Sequence, residues 1–152
     1  MSCIFCDIVH RRTPAHIIWE DDNHLAFLSV FPNTRGFTVV VPKKHLSSYI
    51  FDQIDEEIIG LVLASKRVAK ILDGFFPNVG RTGVFFEGYG VDHLHCKLFP
   101  MHGTGSSSEF KKISSNVDKF FEEYEGYISS HDYRRADDAQ LEKLASQIRT
   151  SY

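Results

Sequence analysis

The chain has 152 residues, 43% of them hydrophobic and 24% charged, which suits one domain with a core of its own. A formal charge of −3 provides no basic field for nucleic acid, and no apolar run reaches the roughly 20 residues of a membrane span. Three cysteines, an odd number, speak against a disulfide framework, so a protein of the reducing cytoplasm is expected.

Cys3-x-x-Cys6 opens the chain. A redox pair of the thioredoxin kind would follow a buried strand, and none precedes this one, so half of a metal site is the better reading. Ile4, Phe5 and Ile8 fall at helical spacing over residues 3–9 and predict a short helix, ended by Thr13-Pro14. Ile17 to Glu20 and Leu25 to Ser29 read as a hairpin around the acidic turn Asp21-Asp22-Asn23. After the loop Pro32 to Gly36, the β-branched run Phe37 to Val41 predicts a third strand, stopped by Pro42. His45 follows at the strand's end and is a candidate metal ligand. Asp55 to Asp73 is the clearest helix, with Ile58, Leu61, Val62, Ser65, Val68, Ala69 and Leu72 on one face and Gly74 as its stop. A turn at Pro77 to Gly80 leads to a fourth strand, Thr82 to Glu87, tightly connected to a fifth.

That fifth stretch, Val91 to Phe99, carries the chemistry. Read as a strand, its period of two sets His93, His95 and Lys97 on one face and Leu94, Cys96 and Leu98 on the other, with Pro100 ending the run. Imidazole can attack phosphorus, ligate a metal or carry a proton near neutral pH. Beyond Gly103 a Ser-rich loop is expected, then a helix over Ile113 to Glu125, a short edge strand over Tyr127 to Tyr133, and a last helix from Asp137/Asp138 to Ile148. The order predicts an α+β fold: an antiparallel sheet with one long helix and C-terminal helices. Residues 1–103 would form the core, and 104–152 a helical extension packed on the same domain.

Three separated pieces, C-x-x-C, P-K-K-H after a Val-rich strand and H-L-H-C-K after a Gly-bearing turn, together resemble the histidine triad (HIT) superfamily of nucleotide hydrolases and transferases. The resemblance runs from about Cys3 to Pro100. It departs at Lys97, which stands where the family has its third histidine. It implies a nucleotidyl hydrolase or transferase in which His95 attacks the α-phosphate of a dinucleoside polyphosphate or nucleoside phosphoramidate. A nucleotidyl-histidine intermediate then breaks down, and a backbone carbonyl of the neighbouring chain holds the histidine's tautomer. Lys97 would be the second catalytic residue, a cation for developing phosphate charge.

By family position, Ile4, Phe5, Ile8, Phe27 and Val30 would sandwich the base, Ser29 would meet the ribose, and Tyr89 and Gly90 would face the phosphate. Cys3, Cys6, His45 and His93 would hold a structural Zn2+. The partners implied are a nucleotide substrate and a second copy of the chain in a homodimer, with neither nucleic acid nor membrane. The alternative is a non-catalytic nucleotide-binding or scaffold protein with the same zinc.

Overall fold

A computed structural model describes residues 2–105, 119–123 and 131–152. Helix α1 (Ile4–Val9) is followed by the antiparallel strands β1 (His16–Glu20), β2 (His24–Leu28) and β3 (Thr38–Pro42). Helix α2 (Asp55–Phe75), strands β4 (Val79–Phe85) and β5 (Cys96–His102) and helix α3 (Asp138–Arg149) complete the order. The strands form one sheet ordered β1-β2-β3-β5-β4, antiparallel throughout, so β5 sits inside the sheet between β3 and β4. The expected α+β class is what the chain adopts.

Both faces of the sheet are covered, which is why β2 and β3 are buried at every position. Alternation divides their side chains between two layers. Ala26, Leu28, Val40, Cys96 and Leu98 pack under α2 and α3, while Leu25, Phe27, Val39, Val41 and Phe99 form the opposite layer with Ile8 of α1. Leu141, Leu144, Ala145 and Ile148 carry α3 into the first layer. Asp137 caps that helix by accepting from the Gln140 N–H at 3.0 Å.

Several expectations change. The buried line of α2 is Leu61, Ala64, Ser65, Val68 and Leu72, and Val62 is exposed because it stands about 100° from Leu61 around the axis. Gly74 lies inside α2 rather than stopping it. The helix ends where the backbone extends at Phe76, whose N–H still reaches the Leu72 carbonyl at 3.0 Å. Residues 119–123 and 131–133, the described parts of the expected helix over 113–125 and edge strand over 127–133, belong to neither; the remainder lies outside the described residues.

The largest correction concerns the histidine stretch. β5 begins only at Cys96, so His93 and His95 precede the strand, and residues 86–95 make a long connector from β4 rather than a tight turn. The reason is the lack of ladder partners: β4 ends at Phe85, opposite Lys97, and β3 pairs no earlier than Cys96. Nor does Pro100 end the strand. β3 pairs only with Cys96 to Leu98, so Pro100 needs a ladder on the β4 side alone, where it pairs with Thr82.

Candidate functional site

The connector's backbone is tied down from outside the sheet. The Leu94 N–H donates to the Leu46 carbonyl at 2.8 Å, and the Asp92 carboxylate accepts from the Ser48 N–H at 2.9 Å. Gly88 turns with φ +73°, and a Cβ there would meet the Ser48 carbonyl oxygen at 2.9 Å, so this close approach requires glycine. These ties bring the 43–49 loop, which carries His45, against the segment that carries His93.

His93 is fully buried, and its Nε2–H donates to the Pro42 carbonyl at 2.9 Å. That bond fixes the tautomer and leaves the Nδ1 lone pair facing the thiols of Cys3 and Cys6, each 3.5 Å away. Cys6 Sγ lies 3.3 Å from His45 Nδ1, and the four ligand atoms all lie within 4.8 Å of one another. Tetrahedral zinc, with bonds of about 2.0–2.3 Å, separates its ligands by roughly 3.3–3.8 Å. Three of the contacts here fall in that range. Two thiols and two imidazoles, one with its far nitrogen already spent on a carbonyl, fit a closed metal site. Burial, more than its histidine neighbours, holds the His93 pKa below the ordinary imidazole value, which favours the neutral, ligating form.

His95 is 3% exposed. Its Nδ1–H donates to the His93 carbonyl of the same chain at 2.7 Å, so Nε2 is the nitrogen that keeps a lone pair. The resemblance put that carbonyl on a neighbouring chain. Here it is local, because His93 lies outside the ladder and its carbonyl is free for the side chain two residues on. Burial lowers the His95 pKa against the raising effect of this bond, and the Lys97 ammonium lowers it further. Phe5 packs edge-on against both imidazoles, with centroids 5.9 Å from His93 and 5.4 Å from His95. One aromatic ring of α1 thus touches both His93, a candidate metal ligand, and His95.

His95 and Lys97 open into a cavity of about 330 Å³ between α1, the sheet and the connector. Ile4, Phe5, Ile8, Phe27, Ser29, Val30, Tyr89 and Gly90 all line it, so every residue singled out for base, ribose or phosphate borders one space. Phe5 meets Phe27 edge to face at 5.5 Å. The Ser29 hydroxyl oxygen accepts from the Phe31 N–H at 3.1 Å.

Among the lining residues that the sequence reading does not single out, two are charged, Asp132 and Arg135. Their segment docks beside the cavity through the Ala136 N–H, which donates to the Val30 carbonyl at 2.8 Å. No local pattern in the sequence announces such a contact. Glu87, which forms an ion pair with Lys97, was also missed. The fold supplies what the sequence does not show: Phe85 is the cross-strand partner of Lys97, and Glu87 lies two residues further on. His102 is drawn away from this chemistry, donating from Nε2 to the Arg35 carbonyl at 2.7 Å.

The family profile described as the HIT domain matches residues 10–104, more than half of the chain. An uncharacterised HIT-like protein of Methanocaldococcus jannaschii is 32% identical over 132 residues, covering 82% of this chain and 99% of that protein. The crystal structure of a zinc-bound histidine triad family protein from Mycobacterium smegmatis aligns with a TM-score of 0.69 at 26% identity, over 99% of this chain and 93% of that one. A HIT family hydrolase from Legionella pneumophila aligns with a TM-score of 0.59 at 27% identity, over 66% of this chain and 94% of that one. The chain belongs to the HIT family.

Proposed function

We propose that the protein is a nucleotidyl hydrolase or transferase that works through a covalent intermediate on His95. The observation that carries this reading is the tautomer lock: Nδ1–H is committed to the His93 carbonyl, so a neutral Nε2 borders a cavity lined by apolar and aromatic side chains. A base fits between Ile4, Phe5, Ile8, Phe27 and Val30, and the α-phosphate then falls to His95, Lys97 and the turn at Tyr89 and Gly90. Ser29 offers one hydroxyl to the ribose.

In the first step the Nε2 lone pair forms a bond to the α-phosphorus as the bond to the leaving group breaks and its electron pair departs with that group. A phosphate leaves as the anion; an amine takes a proton from solvent. Water then bonds to phosphorus, the P–N bond breaks back onto Nε2, the water's proton passes to solvent, and AMP is released. Lys97 offsets the charge that gathers on the phosphoryl oxygens.

The Cys3, Cys6, His45 and His93 cluster would hold Zn2+ as a structural clamp of α1 onto the His95 segment. Three free cysteines agree with a reducing cytoplasm, and no helix among the described residues is long and apolar enough to cross a membrane. Ile59, Val62 and Leu63 form an exposed apolar stretch of α2 and support a homodimer through that helix.

The test is AMP release from a dinucleoside polyphosphate and from an adenosine phosphoramidate, with His95→Ala and Lys97→His alongside. Release lost in His95→Ala is the expected result, and the faster substrate names the class. AMP binding without turnover would favour the non-catalytic reading, and release gained only in Lys97→His would mean that the native residue has ended catalysis.

A further inference from the structure

Glu87 stands next to the catalytic lysine and has no part in the chemistry above. β4 ends at Phe85, the register partner of Lys97, and Glu87 lies two residues further along the connector. Its carboxylate is ion-paired with the Lys97 ammonium. The two side chains are only 9% and 16% exposed, so the contact is largely removed from water. Breaking such a pair strands a charge in a poorly solvated place, which keeps both partners where they are.

Lys97 lines the cavity together with His95, whereas Glu87 is not part of the lining. Lysine carries its charge on a flexible four-carbon stem, and without a fixed partner that charge would sample many positions. An ammonium has three donors. One carboxylate contact therefore anchors it and still leaves N–H groups for a phosphate oxygen. A third-position histidine would be placed by its short, stiff ring; a lysine needs a second residue to do the placing.

We propose that Glu87 is a positioning residue, which holds the Lys97 ammonium at the end of the cavity where His95 meets the α-phosphate. This rests on the reading of the cavity as a nucleotide site. Glu87 acts only through Lys97 and touches no substrate itself.

The experiment compares AMP with adenosine by calorimetry, on wild type, Glu87→Gln, Lys97→Met and the double variant, with kcat and KM for AMP release measured in parallel. Wild type is expected to prefer AMP. Glu87→Gln should lose about tenfold of that preference, as expected for a misplaced charged hydrogen bond, with adenosine affinity unchanged within about twofold. The double variant should be no worse than Lys97→Met, because a residue acting through lysine has nothing left to act on. Turnover should fall through kcat more than through KM. Adenosine affinity reports whether each variant is folded. Should Glu87→Gln fail to fold, Glu87→Asp keeps the charge but sets it back by one methylene, and a partial loss of AMP preference is expected.

An unchanged AMP preference in Glu87→Gln would overturn the proposal. So would an equal Glu87 effect with and without the lysine, the mark of a purely structural role. Wild type that prefers AMP but releases none from either substrate would end the hydrolase reading and leave the Glu87 comparison intact. Wild type with no preference for AMP would overturn the positioning role itself.

Discussion

The three cysteines occupy environments that chemistry can tell apart. Cys96 is fully buried in the layer under α2, and burial pushes its thiol up to about 12. Cys3 and Cys6 are half-buried in the candidate metal site with His45 and His93. Thiol counting with a chromogenic disulfide reagent should find none reactive in the zinc-loaded protein, Cys3 and Cys6 reactive after chelation, and Cys96 only on unfolding. Labelling of Cys3 and Cys6 at the same rate with and without chelator would remove the metal site. The C-x-x-C, the H-x-H and the lysine after it stand out in the sequence because their residue types are chemically rare and their spacing short. His45, a candidate by its place at a strand end, and the pocket residues join them only through the family resemblance. Asp132, Arg135 and Glu87 were not read, since their roles depend on which chain segments meet.

At the scale of elements, the alternation of His93, His95 and Lys97 was read correctly, but the strand was not. An alternating pattern becomes a ladder only where a neighbour pairs with it, and neither β4, which ends opposite Lys97, nor β3 pairs with any residue before Cys96. The freed His93 carbonyl then holds His95, so the interruption of the strand is what sets the tautomer of the proposed nucleophile.

α3 offers a separate test. His16 of β1 lies 2.9 Å from Asp138 and 3.2 Å from Glu142, and Arg149 Nη2 reaches Glu142 at 2.6 Å. The Arg135 and Arg149 guanidiniums, more than His16, hold the Asp138 and Glu142 carboxyls respectively below the usual carboxylate range. A depressed folded-state pKa stabilises above the unfolded value of about 4, and that stabilisation is lost as pH falls through the folded value. Amide exchange in α3 should therefore quicken in acid relative to α2, and Glu142→Gln should exchange faster at pH 7 with less further change on acidification. Exchange in α3 that is indifferent to both would show that its apolar face alone holds it.

For the whole molecule, the two covered faces of the sheet go with β2 and β3, which are buried at every position and apolar at all but their first, and the long helix goes with its apolar stripe. Val62 was read as core and is instead exposed beside Ile59 and Leu63. An apolar residue at the edge of a helical stripe has two ways to be buried, and one sequence does not say which. If that surface joins two copies, Val62→Asp should shift the protein from dimer to monomer in sedimentation with its fold kept. A wild-type monomer at micromolar concentration would contradict the dimer.

The claim on which the account turns is that His95 becomes covalently bonded to the nucleotide. Brief reaction with a dinucleoside polyphosphate or adenosine phosphoramidate, an alkaline quench to preserve a phosphoramidate bond, and peptide mass spectrometry would test it. The account predicts an adenylyl group on the peptide bearing His95, and none in His95→Ala, which should also release no AMP. AMP release that persists in His95→Ala, or an adduct on another residue, would contradict it.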